Sequence, residues 1–153
     1  MQEKAIIESK IRHLQLDQPL CIESGTSIGD VLLRMKTERR SCVLICRGER
    51  CIGIFTERDF LNKILGESVQ LAQPVDDFMT GNPQTLTLDG TVGEAIRLMH
   101  EHGYRKIPLV DQKGNCTGLI QIRNIIQFLA ELYPQEVLNA MPLHQRYAEP
   151  DGA

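Results

Sequence analysis

The sequence predicts a mixed α/β fold in which one βαββα unit occurs twice in tandem and the two copies pack sheet to sheet with pseudo-twofold symmetry. One observation is that residues 46–61 align with residues 111–126 without a gap. Three residues thereby recur 65 positions later: Cys51, Gly53 and Arg58 as Cys116, Gly118 and Arg123. A second observation is that the same order of helix, strand, hairpin and helix surrounds both stretches.

An amphipathic helix precedes the hairpin in each copy. Residues 28–35 recur as 92–99 at an offset of 64, and the one-residue difference indicates gaps in loops. Ser27 and Thr91 stand before these helices, where their hydroxyls can cap the first N–H groups. Apolar residues follow helical spacing in both copies: Ile28, Val31, Leu32 and Met35, and Val92, Ala95, Ile96 and Met99.

The strands are predicted from short apolar runs. Continuous runs at 42–45 and 107–110 are typical of strands that are buried on both faces, and each leads into a two-stranded hairpin. The hairpins end at Phe55 and Ile120, where a second helix begins. Short leading strands are predicted at 20–22 and 83–87.

The repeats divide the chain into five regions. Ile6, Ile7 and Ile11 cluster on one side of a helix and predict that the N-terminal region is helical. The predicted order is an N-terminal helix at 1–13, a first repeat at 14–66, a linker at 67–74, a second repeat at 75–133 and a C-terminal extension at 134–153, in which a short helix at 135–147 follows Pro134.

Composition narrows the function classes. The chain has 153 residues, 42% of them hydrophobic and 24% charged, which indicates a folded globular protein. A net charge of -3 gives no overall attraction for nucleic acid. No apolar run approaches the roughly 20 residues that span a bilayer, and the polar start is unlike a signal peptide, so we expect a cytoplasmic protein without a membrane partner.

The five cysteines form no CxxC pair. Cys46 and Cys51 could face each other across a hairpin, but the apolar runs around the cysteines favour buried, reduced thiols. The four histidines do not complete a ligand set with them. We therefore expect no metal site.

The motif with the most chemical content follows the first hairpin. It reads Gly-Ile-Phe-Thr-Glu-Arg-Asp at 53–59, so that Thr56 is placed to cap the following helix and Asp59 lies one turn later on the same side. A hydroxyl and free helix N–H groups suit a phosphate, and a carboxylate suits the paired hydroxyls of a ribose. The same Thr-x-x-Asp pattern is also an ordinary helix-capping motif.

A βαββα repeat with this motif after its third strand resembles the cystathionine-β-synthase (CBS) domain family. The resemblance covers about residues 14–132 and includes the segment Arg-Lys-Ile-Pro-Leu-Val-Asp at 105–111. It implies that the whole chain is one Bateman module, the tandem pair of this family. Such modules bind AMP, ADP or ATP, and in some members S-adenosylmethionine or NAD, between the two copies. The ligand is not an obligatory cofactor.

The resemblance also implies roles for individual residues. Asp59 would bind the ribose hydroxyls and Thr56 the phosphate or the ribose edge, while Ile54 would form part of the adenine wall. Arg40 and Arg105 match positions that reach phosphates, although each taken alone could equally be a solvated surface charge. The predicted ligand-binding set is Ile54, Thr56, Arg58, Asp59, Arg40 and Arg105.

The second copy departs from the motif because Gln121 replaces the Thr and Asn124 replaces the Asp. Asn keeps the shape of the carboxylate without its charge, and Gln is a poor cap that occupies the space of a phosphate. We therefore expect one competent nucleotide site, although a weak second site or another ligand stays open.

Four function classes follow. The first is a regulatory, adenosine-nucleotide-binding sensor of energy or metabolites, and it is expected to form a homodimer and to act on an unidentified partner protein. The second is a structural or interaction module without a ligand, in which Thr56 and Asp59 only cap a helix. An enzyme has little support because the sequence has no nucleophile with a neighbouring base and no phosphate loop. Nucleic-acid binding comes last.

Overall fold

A computed structural model describes residues 2–132, so the predicted extension at 134–153 and its helix at 135–147 lie outside the described residues. None of the helices in this range is long and apolar enough to cross a membrane. The helices are α1 (Gln2–Glu8), α2 (Ile28–Glu38), α3 (Glu57–Lys63), α4 (Val92–His102) and α5 (Ile122–Leu132). The strands are β1 (Cys21–Glu23), β2 (Cys42–Arg47), β3 (Arg50–Thr56), β4 (Thr80–Gly81), β5 (Lys106–Val110) and β6 (Cys116–Gln121).

The helices α2 and α4 begin where the sequence predicts. The Ser27 hydroxyl accepts a hydrogen bond from the Asp30 N–H at 3.2 Å and caps α2. Thr91 and Glu94 form a reciprocal capping box on α4. Gly103 ends α4 in the left-handed conformation, with φ of 70°, which glycine adopts without strain.

Two sheets carry the repeat. The first has the order β1-β2-β3-β4, with β1 parallel to β2 and the other pairs antiparallel. The second consists of the antiparallel pair β5-β6. Helices accompany both sheets, and the predicted mixed α/β fold is confirmed, with a complete βαββα unit in the first copy.

The predicted leading strand of the second copy is wrong in extent. Within 83–87, the structure has only a parallel bridge, in which the Leu86 N–H donates to the Pro108 carbonyl and the Val110 N–H donates to the Leu86 carbonyl. The next bond of a parallel ladder would need an N–H on Pro108, which proline lacks. Thr80 and Gly81 instead form β4 on the first sheet.

The N-terminal helix is shorter than predicted. It ends at Glu8, and residues Ile11–His13 form a separate 3-10 turn. The reason is tertiary, because the Ile11 N–H donates to the Gly90 carbonyl and the Arg12 N–H to the Leu88 carbonyl. These bonds attach the segment to the loop before α4.

Three apolar clusters fill the interior. The first lies between α2, α3 and one face of the first sheet, and the second lies between α4, α5 and the second sheet. The third joins the facing sides of the two sheets and contains Leu44, Ile54 and Leu119 with several cysteines. The two copies therefore pack sheet to sheet.

The units exchange segments. Ile11 and Leu14, which lie at the start of the first unit, are buried in the cluster of the second unit. Val75 and Phe78, which follow α3, are buried in the cluster of the first unit. Each core is thus completed by a segment from the start of the other unit.

Candidate ligand-binding cleft

A cleft of about 380 Å³ opens between the β3–α3 junction of the first unit and β5 of the second unit. Its volume is in the range of small-molecule sites, about 300–1,000 Å³. Residues of both units line it: Ile54, Thr56, Glu57, Arg58, Asp59, Leu61, Thr80, Pro83, Gln84, Tyr104, Arg105, Lys106 and Pro108. The structure thereby brings together five of the six predicted site residues.

Thr56 ends β3 and caps α3. Its hydroxyl accepts a hydrogen bond from the Asp59 N–H at 3.2 Å, and Asp59 Oδ2 accepts one from the Thr56 N–H at 3.0 Å. The Glu57 N–H donates to the Ser41 carbonyl at 3.1 Å. The expectation that the first-turn N–H groups are free for a phosphate is therefore wrong for Glu57 and Asp59.

Asp59 is buried at the floor of the cleft, with 8% of the residue exposed. Its Oδ1 atom accepts a hydrogen bond from the Thr80 hydroxyl at 3.2 Å and lies 3.0 Å from Lys63 Nζ. Lys63 also donates to the carbonyl of Phe78 at 2.8 Å. Both carboxylate oxygens therefore have partners within the protein, and a ligand hydroxyl has to share them or displace one.

The second unit contributes cations and an apolar wall. Arg105 and Lys106 line the cleft at the start of β5, opposite Arg58 at the start of α3. Pro108 lies on β5 and Ile54 on β3, and both line the cleft. The arrangement offers apolar surfaces for a flat ring system and three cations for an anionic group.

Arg40 does not line this cleft. It lies in a groove between α2 and α3, and its guanidinium Nη1 donates to the Gln18 carbonyl at 2.5 Å. Arg40 and Arg105 occupy equivalent positions of the two copies, directly before β2 and β5. Arg105 of the second copy lies beside the motif of the first copy, whereas Arg40 belongs to the same copy as that motif and lies outside the cleft. The structure separates the two predicted phosphate contacts.

The corresponding β6–α5 junction contains a different network. Asn124 is 2% exposed, and its Oδ1 accepts a hydrogen bond from the Gln121 N–H at 2.7 Å. Its amide donates to the Gln15 carbonyl at 3.1 Å and to Asp17 Oδ2 at 3.3 Å. Asp17 also accepts hydrogen bonds from the side chains of Gln121 and Arg123. The Asp17 carboxylate therefore contacts Gln121 and Asn124, the two residues at which the second motif differs from the first.

Sequence reasoning missed several residues that line the cleft or contact Asp59. Lys63 is four positions after Asp59 on a helix, so helical spacing was a usable signal for it. Pro108 belongs to the segment that carries Arg105, but the sequence alone did not indicate that it faces Ile54. Thr80 had no local signal, because it reaches Asp59 through the pairing of β4 with β3.

Comparison with known proteins gives a family and two relatives. The family model described as CBS domain matches residues 11–66 and 75–131. An uncharacterized 17.7 kDa protein from Acidianus ambivalens is 24% identical over 129 residues, which are 84% of this chain and 77% of that protein. The CBS domain-containing protein CBSCBSPB1 from Arabidopsis thaliana is 26% identical over 96 residues, which are 62% of this chain and 18% of that protein. The chain thus spans less than a fifth of the plant relative.

A solved structure has the same fold. The CBS domain protein PAE2072 from Pyrobaculum aerophilum, whose structure was solved in complex with AMP, superposes with a TM-score of 0.71 and 20% identity. The match covers 80% of this chain and 99% of that one. At 20% identity, this similarity shows a shared fold and nothing about the ligand.

Proposed function

This chain belongs to the CBS domain family and carries two such domains in tandem, and we propose that it is a regulatory module that binds an adenosine nucleotide in the cleft between them. The observation that supports this most is the joint lining of one cleft by Ile54, Thr56 and Asp59 of the first unit and Arg105 and Pro108 of the second. The AMP complex of PAE2072 supports the ligand class.

The proposed pose follows the chemistry of the lining. The adenine ring lies between Ile54 and Pro108, where apolar side chains from both sheets face the cleft. The ribose hydroxyls approach Asp59 and displace the Thr80 hydroxyl, which exchanges one hydrogen bond for another. The phosphate lies toward Arg58 and Arg105, because one guanidinium group can donate two parallel hydrogen bonds to two phosphate oxygens.

Isothermal titration calorimetry with AMP, ADP, ATP and S-adenosylmethionine tests the proposal. We expect saturable binding of at least one adenosine nucleotide at a stoichiometry of one per chain, because the second junction contains Gln121, Asn124 and the Asp17 carboxylate. Heats equal to those of dilution for all four compounds at millimolar concentration would contradict nucleotide binding.

The repeat provides matched control variants. Arg105→Ala should weaken nucleotide binding about tenfold or more, since a hydrogen bond to a charged group contributes about 1.5–3 kcal/mol. Its counterpart Arg40→Ala should leave affinity unchanged, because Arg40 lies outside the cleft. Arg58→Ala and Arg123→Ala form a second pair with the same expectation. Equal effects within both pairs would show that this cleft is not the phosphate site.

The ribose assignment needs a separate test. Asp59→Asn should keep the cap on α3, since Asn124 caps the Gln121 N–H in the second unit. The variant should bind nucleotide more weakly, because an amide oxygen is a weaker acceptor for ribose hydroxyls than a carboxylate. Unchanged affinity in this variant would leave nucleotide binding in place and remove Asp59 from the site.

One observation favours a second candidate function, a structural module without a ligand. Both carboxylate oxygens of Asp59 already have partners in Thr56, Thr80 and Lys63. Under this alternative, Thr56→Ala lowers the free energy of unfolding by about 1 kcal/mol through loss of the cap. AMP then gives no increase in melting temperature in either protein, whereas under nucleotide binding it stabilises the parent.

We also propose that a second copy of the chain covers the helices. An apolar groove lies between α2 and α3, with Leu32, Met35 and Phe60 in its lining. A corresponding groove between α4 and α5 is lined by residues that include Ile96, Met99 and Ile125. Since the two grooves are related by the repeat, a twofold partner meets an apolar surface on both units.

Light scattering coupled to size-exclusion chromatography tests the homodimer. Ile126 is 59% exposed on α5, so Ile126→Glu should weaken the dimer with little effect on the monomer core. Leu71→Glu is the control, because Leu71 is 63% exposed but belongs to the segment between the units. A parent that is monomeric at high micromolar concentration would contradict the dimer. We further propose that nucleotide binding to this module is sensed by a separate protein, which the module regulates.

A further inference from the structure

Four cysteines meet where the two units contact each other, and we call Cys21, Cys46, Cys51 and Cys116 the thiol cluster. Cys46 pairs with Cys51 across β2 and β3, both pack with Cys116 between the sheets, and Cys21 contacts Cys116. The expectation that the cysteines are buried is correct for Cys42 and Cys46 but wrong for Cys21, which is exposed, while Cys51 and Cys116 are half-buried. Solvent therefore reaches part of the cluster.

Two matching β-bulges direct Cys51 and Cys116 into the cluster. On β3, Gly53 pairs with Ile45 and Cys51 pairs with Cys46, so Ile52 is an extra residue without a partner. On β6, Gly118 pairs with Leu109 and Cys116 pairs with Val110, so Thr117 is extra. An extra residue reverses the side to which the preceding side chain points. Both cysteines thereby lie with Leu44 and Leu119 between the sheets.

The hairpin tips contact each other directly beside these bulges. The Cys51 N–H donates to the Gly114 carbonyl at 3.1 Å, and the Cys116 N–H donates to the Glu49 carbonyl at 2.9 Å. Cys21 approaches from β1, where Ile22 points into the first core and Cys21 points the opposite way. The sulfur atoms of Cys21 and Cys116 are 3.6 Å apart.

We propose that Cys21 and Cys116 form a modification site at which a low-molecular-weight disulfide oxidises the two thiols to an intramolecular disulfide bond. The bond joins β1 of the first unit to β6 of the second and fixes the separation of the sheets. It is independent of the nucleotide proposal. Among residues 2–132 no group of His, Cys, Asp and Glu is arranged to hold a metal, which favours oxidation over metal binding.

The two thiols of the pair differ in reactivity: hydrogen bonding with Cys21 raises the pKa of Cys116 to about 11, so Cys21 is the attacking thiol. Hydrogen bonds from the thiols of Cys116 and Cys46 lower the pKa of Cys21 below its ordinary value. The thiolate is the form that attacks a disulfide, and the exposed member of the pair is the one that a small oxidant reaches first.

The reaction balances with oxidised glutathione as the oxidant. The Cys21 thiolate attacks one glutathione sulfur, the glutathione S–S bond breaks, and one glutathione thiolate leaves. Cys116 then loses its proton to solvent and attacks the Cys21 sulfur, which releases the second glutathione. Two protein thiols lose two electrons, and one oxidised glutathione becomes two reduced glutathione molecules.

Tryptic mapping tests the assignment. The reduced full-length chain is equilibrated with oxidised glutathione, its free thiols are alkylated under denaturing conditions, and the digest is analysed without reduction. Cleavage after Arg or Lys separates the relevant cysteines into peptides 13–34 (Cys21), 41–47 (Cys42 and Cys46), 51–58 (Cys51) and 114–123 (Cys116). Each pair of different peptides therefore gives its own mass when a disulfide joins them, although Cys42 and Cys46 share peptide 41–47.

The expected product is peptide 13–34 joined to peptide 114–123. A bond between 41–47 and 51–58 as the main product would overturn the assignment to Cys21 and Cys116. Retention of one glutathione on Cys21, with Cys116 fully alkylated, would overturn the intramolecular bond. Full alkylation of both cysteines after oxidation would overturn the modification site altogether.

Variants give an independent readout in the intact chain. Oxidation should raise the melting temperature of the parent by about 5 °C or more, because the bond closes a loop across 95 residues of the unfolded chain. Cys21→Ser and Cys116→Ser should show no such rise, while Cys51→Ser should keep it. An equal rise in Cys21→Ser would contradict the proposal even if the mapping were incomplete.

Discussion

Asp59 Oδ1 and Lys63 Nζ are 3.0 Å apart across one turn of α3, and the Asp59 side chain is only 10% exposed. The same ammonium group donates to the carbonyls of Phe78 at 2.8 Å and Met79 at 3.3 Å. One lysine therefore connects the floor of the cleft to the segment that completes the first core.

Lys63→Met tests this connection. The variant retains an apolar side chain but removes the cation beside a mostly buried carboxylate and the donor to two carbonyls, so the free energy of unfolding should fall by about 1–2 kcal/mol. Urea denaturation followed by circular dichroism measures the change. Arg34→Met removes another i,i+4 pair, with Glu38, whose side chains are 49% and 39% exposed. There the change should stay below about 0.5 kcal/mol, and equal losses would show that burial of Asp59 does not matter.

A larger residue at Gly53 is expected to destabilise the first sheet. A Cβ at this position would lie 2.4 Å from Met79 Sδ and 3.2 Å from the Thr80 carbonyl oxygen. Gly53→Ala should therefore displace the Met79 side chain and press on the β4 backbone at Thr80, which lowers the free energy of unfolding by about 1–3 kcal/mol and weakens the Thr80–Asp59 hydrogen bond.

The matched variant is Gly118→Ala, at the equivalent position of the second unit. There the nearest atom to a new Cβ is Leu109 Cδ1 at 3.4 Å, which is a flexible side-chain end. Thermal denaturation of the two variants should show a much larger loss for Gly53→Ala. The opposite order would mean that β4 contributes little to the first sheet.

Asp76 is expected to make stability depend on pH. Burial raises its pKa, but hydrogen bonds from the Ser24 hydroxyl and the Gly25 N–H outweigh burial, and the pKa lies below the ordinary value. The contribution of Asp76 is therefore fully present above the ordinary pKa of 3.8 and is lost as the pH falls through the lowered value.

Asp76→Asn should accordingly cost about 1 kcal/mol at pH 7, and the difference from the parent should shrink near pH 2. Urea unfolding at both pH values measures this difference. Asp77→Asn, at the exposed neighbouring residue, corrects for the loss of one negative charge. A difference that grows on acidification would contradict the sign of the effect.

Cys42 is expected to react slowly. Burial raises the pKa of the Cys42 thiol to about 11, so few molecules carry the thiolate near neutral pH. Timed alkylation of the native protein with iodoacetamide at pH 8, read by mass spectrometry, should label Cys21 first and the two buried thiols, Cys42 and Cys46, last. Early labelling of Cys42 would show that the first sheet opens readily.

The sequence predicted local features better than distant pairings. Both hairpins and the helices α2 and α4 follow from periodicity and capping residues within a few positions, and the structure confirms them. The pairing of β4 with β3 joins segments that are more than 20 residues apart and lack a shared pattern. The predicted leading strand of the second copy was wrong in extent because Pro108 in the neighbouring strand β5 has no N–H to extend the ladder.

The site shows the same division. Thr56 and Asp59 form one local motif, so their meeting at the end of β3 was predictable. The sequence did not show that Arg105 enters this cleft while Arg40 stays outside it, because that depends on how the two units pack. One of the hydrogen bonds to the Asp59 carboxylate comes from Thr80, and the pairing of β4 with β3 brings Thr80 to this position.

The exchange of segments between the cores determines how the chain can fold. A fragment that ends at residue 66 would leave a gap in its core where Val75 and Phe78 belong. A fragment that begins at residue 75 would lack Ile11 and Leu14. Unfolding of one unit therefore removes buried contacts from the other, and the two should melt in one cooperative transition. The smallest piece of this sequence with a complete interior is the interleaved pair.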